Sequence, residues 1–150
     1  MLNEDYREML QSLLDHKVKF LVVGAYAMGA YGYPRATGDI DIWVETSQDN
    51  SEKVYLSLSE FGAPLSNITQ RTFCEEGIVF QIGVAPRRID IITKIDGVDF
   101  QTGYLNKNEI ELEGIRIPFV SKEDLITNKE STGREKDKLD AKYLREHHET

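Results

Sequence analysis

The run Asp39-Ile40-Asp41-Ile42-Trp43-Val44 constrains this chain more than any other stretch. Alternation of acidic and apolar residues is the pattern of a half-buried strand. Side chains two apart on a strand share a face, so the two carboxylates stand side by side. Aspartate is depleted in strands, and neighbouring carboxylates repel unless something positive lies between them. A divalent cation meets that need, and adjacent hard oxygen donors suit Mg2+ or Mn2+ better than zinc. Taken alone, such a pair more often marks the solvated face of an edge strand.

What precedes it favours the functional reading. The apolar run Phe20-Leu21-Val22-Val23 stops at Gly24, a small-residue segment follows to Gly32, and Tyr33-Pro34 makes a turn. This reads as a buried strand, a tight glycine turn, a short helix and a second strand, Asp39 to Glu45. Gly24-x-x-x-x-Gly29 begins like a P-loop, but Ala30-Tyr31 stands where that motif needs Lys and Ser or Thr. No G-x-G-x-x-G follows the strand, so a dinucleotide fingerprint is excluded. Two readings remain: backbone amides poised to hold phosphate, or glycines that let a helix pack closely on a sheet. On this segment by itself, the second is the better one.

The rest of the chain supplies a frame. Asn3 can cap a helix with Glu4 and Asp5 in its first turn, and Tyr6, Met9, Leu10, Leu13 and Leu14 form its apolar face up to about His16. A strand is expected over Val18–Val23. Asp49 or Ser51 starts a helix with Val54, Leu58 and Phe61 on one side, closed by Gly62-Ala63-Pro64. Residues 65 to 77 show no clear pattern. Ile78–Val84 and Arg88–Thr93 read as strands joined at Ala85-Pro86-Arg87, and Ile115–Val120 as another. Ser121-x-x-Asp124 resembles a capping box and opens a helix through Lys129, which Thr132-Gly133 breaks. A last helix runs from about Arg134 to His147. The expectation is one domain over residues 1–150: an α/β (or α+β) fold with a mixed sheet flanked by helices, a core over about 18–120 and a helical segment over about 121–148.

Composition narrows the partners. The 40% hydrophobic and 29% charged content is that of a soluble chain, and its longest apolar stretch, Phe20 to Tyr33, is too short to span a bilayer. The single cysteine, Cys74, excludes an internal disulfide and a C-x-x-C metal site, which fits a reducing cytoplasm. A net charge of −8 argues against nucleic-acid binding through the general surface. It leaves room for a nucleotide held by a cation and a helix N-terminus.

One further aspartate completes the pattern. Asp90, in Arg88-Ile89-Asp90-Ile91-Ile92, is also set between isoleucines. Three strand-borne carboxylates converging on two cations is the arrangement that nucleotidyl transfer needs. Gly24-Ala25, a gap of thirteen residues, Asp39-x-Asp41 and the later Asp90 together resemble the signature of the DNA polymerase β-type nucleotidyltransferase superfamily. Arg35-x-Thr37-x-Asp39-Ile40-Asp41 and Lys129…Arg134-x-Lys136-Asp137-x-x-Asp140 are more narrowly similar to small stand-alone bacterial and archaeal members, among them AbiEii-type nucleotidyltransferase-like toxins.

That resemblance implies a minimal nucleotidyltransferase fold and a Mg2+-dependent (or Mn2+-dependent) transfer of a nucleoside monophosphate from a nucleoside triphosphate to a hydroxyl. It implies that Asp39, Asp41 and Asp90 are the catalytic metal ligands. It places the triphosphate near Gly24 and Ala25, with Arg35, Thr37, Lys129, Arg134 and Lys136 as further nucleotide-binding candidates. Ala25 departs from the family pattern, which has Gly or Ser there. On residues alone, Arg35 can equally pair with Asp39, and the C-terminal charges can equally be a solvated helix face. The acceptor stays open among a tRNA end, a protein hydroxyl and a small molecule. A catalytically degenerate nucleotide- or partner-binding module, and a toxin neutralised by an antitoxin, are the rival classes.

Overall fold

The computed structural model describes residues 2–33, 38–84 and 87–147. Helix α1, Glu4–Asp15, starts where expected: the Asn3 side chain accepts the Tyr6 N–H at 2.8 Å. Its Tyr6, Met9, Leu10 and Leu13 are buried. Strand β1, Phe20–Val23, is buried throughout. It is two residues shorter than its apolar pattern, for a local reason. Lys17 takes φ 58°, and the Lys17 and Val18 N–H groups return to the carbonyls of Leu14 and Leu13. Closing α1 in this way consumes the residues that would have begun the strand.

Helix α2, Gly24–Ala30, follows directly, then β2, Asp39–Val44, and α3, Gln48–Phe61. Ser47 caps α3, one turn earlier than Ser51 would have, by accepting the Asn50 N–H. The patternless stretch holds a short 3-10 turn, Thr72–Cys74, anchored by the fully buried Phe73. Strands β3, Val79–Ile82, and β4, Arg88–Ile92, pair antiparallel. Helix α4, Phe100–Leu105, packs over Trp43, with the Phe100 ring 4.9 Å from the indole. Strands β5, Asn108–Leu112, and β6, Ile115–Phe119, form a hairpin, and α5, Lys122–Ser131, and α6, Glu135–Glu146, close the fold.

The sheet order is β3-β4-β2-β1-β6-β5. β1 lies antiparallel to β2 and parallel to β6, while β2 runs parallel to β4. This is the mixed α/β sheet flanked by helices that the sequence pattern implies. One continuous apolar cluster, from Leu2 to Leu144, joins the sheet to α1, α3, α5 and α6. Among the described residues no helix is long and apolar enough to cross a membrane.

Candidate active site

Register builds the site. β2 and β4 run side by side with Asp39 opposite Arg88 and Asp41 opposite Asp90. On the other flank, Asp41 faces Val23, the residue just before the glycine turn. Because alternate residues share a face, one face carries Asp39, Asp41, Asp90 and Arg88 as a block of four charges. The three expected carboxylates are therefore together. Lone strand-borne aspartates on separate segments become neighbours through parallel pairing.

The fourth member is a guanidinium. Arg88 Nε donates to Asp90 Oδ1 at 2.8 Å and Nη2 donates to Asp90 Oδ2 at 3.2 Å, while Nη2 lies 2.9 Å from Asp39 Oδ2 as an ion pair. Hydrogen bonding to Asp90, with the fields of Asp90, Asp39 and Asp41, raises the Arg88 pKa further. Asp41 is left outside this fork. Burial, the Asp90 carboxylate beside it and then Asp39 push the Asp41 pKa up to about 6. Arg88 itself was legible only as a strand residue, but its two-residue spacing from Asp90 already put both on one face.

Two elements hold the block in place. Gly24 takes φ +68°, and a Cβ there would lie 2.2 Å from Asp41 Oδ2. Only glycine allows both that backbone conformation and that approach. From α1, the Tyr6 hydroxyl donates to the carbonyls of Gly38 at 2.6 Å and Arg88 at 3.2 Å. It thereby ties the beginnings of β2 and β4 together. Burial, then the nearby Tyr26 and Asp39, raise the Tyr6 pKa to about 12. The sequence showed Tyr6 only as part of an apolar face.

A cleft of about 260 Å³ opens beside Asp41, lined by Gly24, Lys94, Lys129, Arg134 and Asp137 among others. Lys129 Nζ lies 3.3 Å from Asp137 Oδ1 and 3.4 Å from Asp140 Oδ2. Asp137 also accepts from the Thr132 hydroxyl at 2.6 Å and from Arg134 Nε at 2.8 Å. Burial works against its ionisation, but Thr132, Lys129 and Arg134 outweigh burial and hold its pKa below the usual range. Ala25 occupies the first turn of α2, whose start no side chain caps. Lys136 is exposed on α6 and does not line this cleft. Arg35 and Thr37 lie outside the described residues.

Among the described residues, no three Asp, Glu, His or Cys side chains converge as a metal-binding group in their present positions. The carboxylate block nonetheless fits a hard divalent cation in its chemistry. Its donors are all carboxylate oxygens, a guanidinium already stands where positive charge is required, and Asp39 Oδ1 is buried with no hydrogen-bond partner among the described residues.

No curated protein matches the chain. It is similar in structure to a Thermotoga maritima protein provisionally described as a nucleotidyltransferase, with a TM-score of 0.59 and 21% identity, covering 98% of this chain and 97% of that one. It is also similar to a lincosamide antibiotic adenylyltransferase solved with lincomycin bound, with a TM-score of 0.61 and 19% identity, covering 97% and 98%. Both likenesses establish the fold. Residues 2–149 match the family model for nucleotidyl transferases of unknown function (DUF2204), and the chain belongs to that family.

Proposed function

We propose that the protein transfers a nucleoside monophosphate from a Mg2+-bound nucleoside triphosphate to a hydroxyl acceptor, at the face formed by Asp39, Asp41 and Asp90. The observation that carries this reading is the in-register pairing of Asp41 with Asp90, beside a turn where only glycine can approach. These three carboxylates would hold Mg2+ or Mn2+, which supplies a Lewis acid and neutralises phosphate charge when bound. The Gly24-Ala25 turn lets backbone amides approach the triphosphate without a side chain intervening. Lys129 and Arg134 present positive charge to the same cleft. In the transfer, the acceptor oxygen bonds to the α-phosphorus, the bond to pyrophosphate breaks, and the Asp90 carboxylate takes the hydroxyl proton.

A small-molecule hydroxyl is the first acceptor class to screen and ATP the first donor, since the antibiotic adenylyltransferase shares the fold. The charge of −8 disfavours an unaided tRNA acceptor. Use of triphosphates fits a cytoplasmic site. Calorimetric titration of the four triphosphates, with Mg2+ and with chelator, tests the reading on wild type and on the double variant Asp39→Ala/Asp41→Ala. Mg2+-dependent binding that the double variant abolishes is the expected result. Absence of binding to any triphosphate favours a second reading, a degenerate binding module, for which Arg88 within the carboxylate block and the Ala25 departure both speak.

A further inference from the structure

We propose that Arg88 is the internal counter-ion of the carboxylate block. In this role it is a positioning residue that competes with a free divalent cation for Asp39 and Asp90, and it yields to the cation only when a nucleoside triphosphate arrives with it. This inference rests on the nucleotidyl-transfer reading above.

Arg88 engages the oxygens that a cation there requires: both oxygens of Asp90 and Oδ2 of Asp39. A guanidinium does not deprotonate, so it leaves these oxygens only by moving. It has room to move, because its side chain is 31% exposed whereas that of Asp90 is 9% exposed. Among the described residues its ion pairs are with Asp39 and Asp90 only. Lys129 and Arg134, the cations on the opposite wall, are already joined to Asp137 and Asp140. A triphosphate supplies oxyanions that suit the planar fork of arginine. Cation and nucleotide then exchange with Arg88 in one event: the cation takes the carboxylates, and the guanidinium takes the phosphate. The block also has charge to spare. Among the described residues three carboxylates face one guanidinium, and Asp39 Oδ1 has no hydrogen-bond partner even with Arg88 in place.

The test titrates Mn2+ alone into the full chain, wild type and Arg88→Gln, and repeats both with a non-hydrolysable ATP analogue. Losing charge-assisted bonds that compete with the cation is expected to tighten Mn2+ binding in Arg88→Gln by about tenfold or more. The analogue is expected to tighten Mn2+ binding strongly in wild type and much less in the variant. Equal or weaker Mn2+ binding by Arg88→Gln overturns the inference while leaving the nucleotidyl-transfer reading intact. Failure of Mn2+ to bind either protein, with or without the analogue, overturns both. A measurement on wild type alone covers the case in which the variant does not fold. The Arg88 Nε–H resonance, assigned with Arg88→Lys, is expected to shift when Mg2+ and the analogue are added together and to stay unchanged with the same Mg2+ alone. An unchanged resonance at saturation by both sinks the proposal.

Discussion

Two buried ionic clusters border the same cleft, and they differ in one respect. On the α5–α6 side, Asp137 and Asp140 meet Lys129 and Arg134, two carboxylates against two cations. On the sheet side, among the described residues, Asp39, Asp41 and Asp90 meet Arg88 alone. Electrostatics responds in opposite directions: Asp137 is held below the usual carboxylate range, while Asp41 is raised to about 6. A balanced cluster holds two helices together. In the unbalanced one, the described residues leave three carboxylates facing a single guanidinium, which suits it to the cation proposed above. On the proposed reading, Lys129 in the first cluster serves stability and the second cluster serves binding, and substitutions on each side can separate them.

The largest effect is expected from Lys129→Met. Its ammonium is 13% exposed between carboxylates that are 7% and 3% exposed. Removing it leaves buried charge uncompensated, which costs about 3–5 kcal/mol when one partner of a buried pair is lost. Urea unfolding in chelator measures this, and a loss below about 1 kcal/mol would show that α5 and α6 do not depend on the cluster.

Asp41→Asn should move stability the other way. The folded pKa of Asp41, about 6, lies above its ordinary value of 3.8. A raised pKa contributes stability below the unfolded value, and that contribution disappears as pH rises through the folded value. Asparagine does not titrate. The variant should therefore match wild type near pH 4 and exceed it at pH 8, by on the order of 2–3 kcal/mol in chelator. The same exchange should abolish Mg2+-dependent triphosphate binding. A flat difference between the two proteins across pH 4 to 8 would mean that burial and the neighbouring Asp90 and Asp39 do not raise the Asp41 pKa.

Legibility in the sequence followed the same division. Strands β1, β2, β4 and β6 and helices α1 and α3 announce themselves by period, because each buries a regular apolar face, and α5 by its Ser121 cap. The buried face of α6 instead carries Asp137 and Asp140, and its Leu139 is exposed. The carboxylates were legible because aspartate between isoleucines is costly in a strand. The β5–β6 hairpin was not. Asn108–Leu112 is a partly exposed edge strand, and its turn places Glu113 and Gly114 at positive φ without the usual Asn-Gly or Asp-Gly signal. Helix α4 was hidden because its six residues owe their conformation to Trp43 beneath them and to the Asp99 cap. Arg88 was visible as a residue but not as a partner. Its role depends on register between β2 and β4, which a strand pattern does not specify by itself.

Arg134→Ala gives the smallest change in stability and the sharpest division between the two clusters. Its side chain is 76% exposed, and its one ionic partner among the described residues, Asp137, keeps Lys129 and the Thr132 hydroxyl when the guanidinium is gone. An exposed pair of this kind contributes about 0–1 kcal/mol, so the urea midpoint should scarcely move. Yet Arg134 lines the cleft together with Asp41 and Gly24. Triphosphate affinity should therefore fall several-fold while Mn2+ affinity stays unchanged, and Arg134→Lys should recover only part of it because a point charge lacks the fork. Lys129→Met and Arg134→Ala then part company: one loses the fold's ion pair, the other a phosphate contact. If Arg134→Ala destabilises the protein as much as Lys129→Met does, both cations are structural, and the phosphate contact must come from elsewhere in the chain.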